Sequence, residues 1–406
     1  MAFPRIRTSG QWLNGSTILQ SELEQLDEDH SNALDGAAGG AYAPTAPLVI
    51  GGAGLHVTGD FSAPGVADGP MRGFGQASDT GDVADHDNQS LIVWAPFDLV
   101  TPAPNHKWIV VYAAGANLSG DEDTWTNSTP FTFDTANDGW HDIAASPTNA
   151  VVIGFRLALS TPTAKAWYCD NTYAWSNTAG VSNTGAICRS IKWSGTYFVI
   201  SHQDGSFSRS TDGSDFGTAI SGPTNWAGGA TANYANQINV GLGPALAHRM
   251  IAVAGTGTNR NYFAISDDHG ATWSEVAVAD LDWRGVAYRA RDHVWCAVAN
   301  SGEVYASTDG GATWSQVASG YVSFARKVEL VNNVFVSVNG WFQIVFSYDL
   351  VNWYRGHQMF RTSWAPSPLA VGNGGLAYAQ ANSSGGSNPV EVRFSQKASS
   401  TYEAAL

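Results

Sequence analysis

Ser266-Asp267-Asp268-His269-Gly270-Ala271-Thr272-Trp273 and Ser307-Thr308-Asp309-Gly310-Gly311-Ala312-Thr313-Trp314 are nearly one phrase written twice, S-x-D-x-G-x-T-W. Shorter versions, with one residue fewer before the aromatic, stand at Ser210, Asp212 and Phe216, at Ser347, Asp349 and Trp353, and at Ser119, Asp121 and Trp125. A sixth keeps only Asp170 and Trp175. The aspartates recur at positions 121, 170, 212, 268, 309 and 349, and each interval is the length one four-stranded unit of a radial repeat requires, with the stretch from 212 to 268 the longest. Residues 395–402 keep the outer spacing with Lys397 in place of the aspartate, one further interval beyond Asp349, and read as a decayed seventh copy.

Between the copies the pattern is all strand. Residues 283–318 give a strand, a turn, a second strand, the tight turn Ser301-Gly302-Glu303, a third strand, the motif, and a fourth strand. Similar phrasing recurs from His248 to Trp273 and from Asn332 to Trp353. Gly 44, Trp 16 and only 14% charged residues also disfavour a helical protein. The predicted fold is all-β, a seven-bladed propeller over residues 91–406. Its first unit is short, because little chain separates Leu91 from Asp121, so an innermost strand from elsewhere and ring closure by the other terminus are expected options.

The motif's residue types fit a turn that supports folding. Asp accepts hydrogen bonds from backbone N–H groups, Gly supplies a positive φ, and the aromatic packs as the next strand begins. This region resembles Asp-box propellers, which include sialidases, other glycosidases, sortilin-type receptors and non-catalytic lectins. The resemblance implies a structural role for Asp121, Asp170, Asp212, Asp268, Asp309, Asp349, Trp273 and Trp314. Sialidases add an arginine triad, a tyrosine–glutamate pair, an aspartate acid and an F-R-I-P motif. Here Phe3 to Arg7 has similar letters in another order, before any blade, and no spacing singles out three among Arg189, Arg249, Arg284, Arg291 and Arg361. The later glutamates are Glu122, Glu275, Glu303, Glu329, Glu391 and Glu403, the first two in or beside motif copies. The expectation is a non-enzyme, with a two-carboxylate glycosidase as the second reading.

Residues 16–35 carry the convincing helical period: Leu19, Leu23, Leu26, His30 and Ala33 step by 4, 3, 4 and 3. Two heptads make a short oligomerisation seam, while a single amphipathic helix lying on a sheet gives the same pattern. A Gly/Ala/Pro-rich attachment segment follows, with short strands at 48–50 and 55–57, so residues 1–90 form the N-terminal part. Trp12, Gly15, Leu23, Glu24, Leu26, Ala33, Leu34, Asp35 and Gly36, then the runs YAP and GGAGL, resemble the N-terminal region of phage tail-fibre and related virion structural proteins. That resemblance runs from the N-terminus to about Asp60. It implies a virion structural protein at the particle surface, assembled in the host cytoplasm. It further implies attachment to other virion proteins through this segment, a homotrimer, and recognition of a host-surface glycan or protein. A capsid or tail decoration protein is the alternative of the same class.

Twenty basic against thirty-five acidic residues give a formal charge of −15, which disfavours nucleic acid and anionic membranes. No apolar run reaches membrane-spanning length and no secretory stretch follows the start. Cys169, Cys188 and Cys296 are expected as free, buried thiols. Asp79, Asp82, Asp85, His86 and Asp87 have ligand chemistry for a divalent ion without a loop spacing to match, and a solvated hinge is the competing reading. No cofactor is expected. The long excursion before the fourth aspartate carries Trp226 and Tyr234. With Arg260 and Trp341, these are the candidate ligand-binding residues, on the face opposite the motif turns.

Overall fold

Strand follows strand here because apolar runs of four to nine residues are broken by turns rich in Gly, Asn and Asp. The computed structural model describes residues 48–51, 54–57, 78–79, 91–97, 107–112, 115–119, 126–127, 138–158, 161–181, 187–226, 235–255, 260–320, 327–339, 343–358, 369–372, 375–381 and 390–394. Two units divide the chain, Met1–Gly73 with Ser395–Leu406, and Phe74–Phe394. In the first, β1 (Leu48–Gly51) and β2 (Gly54–Val57) pair as an antiparallel hairpin, at the two short strands expected from sequence. The helix at 16–35 with its seam Leu19, Leu23, Leu26, His30 and Ala33, and the decayed copy at 395–402, lie outside the described residues.

The second unit begins with β3 (Ser78–Asp79), which is used last. A first sheet holds β4 (Leu91–Ala95), β5 (Lys107–Tyr112), β6 (Gly115–Ser119) and β7 (Thr126–Asn127). The second holds β8 (Asp138–Ala145), β9 (Ala150–Ala158), β10 (Thr161–Cys169) and β11 (Trp175–Asn177). The third has three strands, β12 (Cys188–Trp193), β13 (Phe198–His202) and β14 (Phe207–Ser210), with Ile220 alone bridging Phe207 where a fourth strand would lie. The fourth holds β15 (Ala235–Leu242), β16 (His248–Ala254), β17 (Tyr262–Ser266) and β18 (Ser274–Ala277). The fifth runs through β19 (Trp283–Arg289), β20 (Val294–Ala299), β21 (Val304–Ser307) and β22 (Ser315–Ala318). The sixth comprises β23 (Val328–Val331), β24 (Val334–Val338), β25 (Gln343–Ser347) and β26 (Tyr354–Gln358). The last is β27 (Leu369–Gly372), β28 (Gly375–Ala381) and β29 (Val390–Phe394), with β3 as its fourth strand.

Within each sheet neighbouring strands are antiparallel. First strands touch in cyclic order, β4 to β8, β12, β15, β19, β23, β27 and back to β4. Burial follows from that arrangement. Second strands such as β13 and β24 are buried at every residue, because neighbouring sheets cover both their faces, whereas fourth strands β18 and β22 have no fully buried residue. Between the third and fourth sheets the core contains Val199, Phe207, Trp226, Ile238 and Met250.

One sequence expectation is corrected. The first sheet is built from consecutive strands with β4 innermost, and it is the last sheet that borrows a strand: Ser78 pairs with Val392 and Asp79 with Glu391. By contacts the larger unit begins at Phe74, and β3 pairs within it. Cys169, Cys188 and Cys296 are free and buried, and burial pushes each thiol well above its ordinary pKa.

Candidate functional site

The S-x-D turns join third strands to fourth strands, and their polar groups are spent internally. Ser266 Oγ accepts the Gly270 N–H at 2.8 Å and donates to Asp268 Oδ1 at 2.8 Å, while Asp268 accepts Thr272 N and Oγ1 at 2.9 and 2.6 Å. Ser307, Asp309, Gly311 and Thr313 repeat this arrangement. In the shorter copies Ser210 Oγ accepts Gly213 N and Ser347 Oγ accepts Leu350 N, both within 2.9 Å. The Asp170 carboxylate accepts Thr172 N and Oγ1 at 2.8 and 2.6 Å, and its carbonyl accepts Tyr173 N at 3.0 Å. Burial alone would raise the Asp268, Asp309 and Asp349 carboxyls, but the donated hydrogen bonds outweigh it and hold them below the usual range. At Asp212 the Ser214 N–H is the leading cause of the same lowering. Asp121 lies outside the described residues. Trp273 and Trp314 are half-buried.

The chemistry that remains is in the middle of the ring. A first strand has one paired edge and one edge facing the centre, so its central N–H groups lack a strand partner. β8, β12, β15 and β19 each carry a bulge, between Trp140 and Asp142, Cys188 and Ser190, Ala235 and Gln237, and Trp283 and Gly285. The residue just past each bulge reaches the next sheet: Asp142 Oδ2 accepts Ile191 N at 3.1 Å, Ser190 Oγ accepts Ile238 N at 3.3 Å, and Gln237 Oε1 accepts Val286 N at 3.1 Å. Gly285 has no side chain to continue the series, and Gln237 Oε1 also accepts Val328 N at 3.2 Å. A Cβ on Gly285 would stand 2.6 Å from Val328 N and 2.8 Å from Gln237 Oε1.

The first strands β4, β8, β12, β15, β23 and β27 line a cavity of about 250 Å³ whose lining includes Trp94, Asp142, Lys192, Trp193, Lys327 and Glu329. Lys327 Nζ lies 3.1 Å from Glu329 Oε1 and 3.8 Å from Asp142 Oδ1, joining the sixth sheet to the second. Gln237 Nε2 donates to Glu329 Oε1 at 3.2 Å and to Val328 O at 2.9 Å. Burial disfavours the Lys327 ammonium, yet Glu329 and Asp142 outweigh it and raise its pKa. Burial likewise pushes the Glu329 carboxyl up, and Lys327 and Lys192 more than offset this, leaving it below its ordinary value. Both groups are charged at neutral pH, and Glu329 is a poor proton donor.

Of the residues expected to bind ligand, Trp226 and Arg260 are described. Trp226 is 1% exposed, its Nε1 donating to Tyr262 O at 3.3 Å and its ring packed 5.9 Å from Phe207. It cannot stack on a sugar. It anchors the excursion, with Asn225 N and Nδ2 donating to Glu275 at 3.1 and 2.5 Å. Arg260 is 37% exposed and pairs with Asp280 at 3.2 Å. Tyr234 and Trp341 lie outside the described residues, as do Asp82, Asp85, His86 and Asp87. Among the described residues no cluster of three metal-ligating side chains occurs. Gln237, Lys327 and Glu329 escaped sequence reading as a group, although Lys327-Val328-Glu329 puts two charges around a first-strand valine, a usable signal.

No family model and no curated protein matches the chain. Solved structures do. YCF48 from Cyanidioschyzon merolae aligns over 77% of this chain and 97% of its own, at 13% identity and a TM-score of 0.50. YCF48 bound to D1 peptide aligns over 78% and 95%, at 13% identity and 0.53. A chain of the mitotic checkpoint complex aligns over 84% and 98%, at 10% identity and 0.53. The fold is that of a β-propeller. At such identities the likeness concerns fold alone.

Proposed function

We propose that the chain is a phage virion structural protein, a tail fibre or receptor-binding protein, whose propeller engages a host-surface glycan or protein. The observation that carries this reading is the succession, in one chain, of a tail-fibre-like N-terminal run and a propeller. The seven sheets are read as seven blades and the S-x-D turns as Asp-boxes that serve stability. The N-terminal segment attaches the protein to the particle and forms a homotrimer through the 19–33 seam. A propeller as a platform for a polypeptide partner has a parallel in YCF48 bound to D1 peptide.

The reading is non-enzymatic. A two-carboxylate glycosidase keeps one carboxyl protonated at working pH. The central carboxylates instead flank Lys327, and Glu329 is held ionised. With Trp226 in the core, the recognition face rests on Arg260, Tyr234, Trp341 and the excursion that Trp226 and Glu275 anchor.

Purified full-length chain should adsorb to host cells and compete with adsorption of intact particles. Leu23→Asp should abolish self-association while leaving a folded propeller. Absence of competition, with the protein located on capsid or tail tube by electron microscopy, would favour the decoration reading. Release of sugar from host polysaccharide would overturn the non-enzymatic one.

A further inference from the structure

We propose that the central cavity binds one carboxylate-bearing sugar unit, a hexuronate, with Lys192 as its counter-ion; this rests on the reading that the propeller recognises a surface glycan. Three observations point to that ligand. First, the charges lining the cavity are unequally used. Asp142 accepts Ile143 N, Ile191 N and Ser190 Oγ at 3.0 to 3.1 Å and faces Lys327, and Glu329 holds Lys327 and Gln237. The Lys192 ammonium has no hydrogen bond or ion pair to any described residue, although its charge helps hold the Glu329 carboxyl down. Second, a lysine at this place is specific to the third sheet. Lys192 pairs with Val199 as Ala144 pairs with Val151, Asn239 with Ile251 and Ala287 with Cys296, so the equivalent positions of the second, fourth and fifth sheets are small or neutral, and that of the sixth, where Glu329 pairs with Val336, is acidic. Packing of the strand does not require a cation.

Third, size and lining select the rest of the ligand. A cavity of about 250 Å³ is below the range for drug-sized ligands and suits a single ring. Trp94 and Trp193, both half-buried, supply apolar surface in the same lining as Lys192, and a sugar ring presents an apolar face together with hydroxyls. The Asp142 and Glu329 oxygens in the lining are acceptors for such hydroxyls, while the ionised Glu329 repels an anion placed away from Lys192.

The experiment is titration calorimetry of the full-length chain with sodium glucuronate, with glucose and sodium acetate as probes lacking the carboxylate and the ring. Saturable binding of glucuronate is expected, with glucose and acetate at least tenfold weaker. Lys192→Gln should weaken glucuronate at least tenfold, and Lys192→Arg should restore most of it. No saturable binding at about 10 mM, where a millimolar site would be filled, overturns the proposal. So does acetate binding as tightly as glucuronate, or full affinity in a folded Lys192→Gln variant. Should that variant fail to fold, the comparison of the three probes on the unaltered chain still decides. Host adsorption measured in parallel separates the two readings: a chain that adsorbs but ignores glucuronate keeps the recognition function and loses this site.

Discussion

Four S-x-D turns place one residue where its N–H meets the serine hydroxyl and its φ is positive: Gly213 at +84°, Gly270 at +82°, Gly311 at +86° and Leu350 at +67°. The glycines are needed for space as well as for φ. A Cβ on Gly213 would stand 2.2 Å from Val151 Cγ2, one on Gly270 3.0 Å from Val199, and one on Gly311 2.6 Å from Ile251 Cδ1. The fourth turn can hold a leucine because the register position of those branched residues is occupied in β20 by the smaller Cys296, and Leu350 and Cys296 share a core cluster. Leu350→Gly should therefore cost about 2–4 kcal/mol by cavity formation, partly offset by about 1 kcal/mol of backbone relief. Cys296→Val alone should overpack at about 1–3 kcal/mol, and the double variant should be more stable than the sum of the two predicts. Urea denaturation of all four proteins checks the coupling; strict additivity would show that the two positions do not share space. Asp268→Ala and Asp309→Ala should each lose about 0.5–2 kcal/mol in the same assay.

At the scale of elements, first strands are held to one another by side chains instead of by strand pairing. Gln237 does most here, capping Val286 N and Val328 N through Oε1 and donating to Val328 O and Glu329 through Nε2. Gln237→Ala should orphan N–H groups in β19 and β23 at once, at a cost of about 2–4 kcal/mol. Hydrogen exchange at Val286 and Val328 should accelerate well beyond that of β16. Uniform acceleration across the ring would mean that the bulge contacts are incidental to strand order. The two-residue β3 also acts at this scale. A chain starting at Phe74 should keep the melting temperature of the larger unit, whereas one starting just past β3, at Thr80, should lose several degrees and expose β29 to exchange.

For the molecule as a whole, acid is the sensitive direction. Burial, then Arg189, lowers the His141 pKa from 6.5 to about 3, and burial, then His269, lowers that of His248. The unfolded chain protonates these histidines near pH 6.5 while the folded ring resists, so unfolding takes up protons and stability falls with pH from about 6.5 downward. The turn carboxylates Asp212, Asp268, Asp309 and Asp349 have lowered values, so their contribution is present above about pH 4 and is lost only below it. Melting temperature should decline in two stages as pH drops from 7 to 3, and His141→Gln should flatten the first. An unchanged first stage in that variant would assign it to other groups.

The sequence by itself determined whatever is local: short apolar strands, turns whose Ser, Asp and Gly bond within five positions, and a recurring interval between motif copies that makes one sheet per copy. It also determined that the three thiols are core residues, since each sits in or at the end of an apolar strand. Only the tertiary structure decided which strand closes the last sheet, because a two-residue strand has no period to read. It decided that Trp226 is core: a turn beside an excursion looks exposed until Phe207 and the Tyr262 carbonyl are brought against the ring. It decided the central network for the same reason. Asp142 meets Ser190 across 48 positions and Gln237 meets Glu329 across 92. A strand's inward edge becomes a site only when the ring closes, and whether a charge there is paired, as in Lys327, or without an ion pair among the described residues, as in Lys192, depends on which sheets face one another.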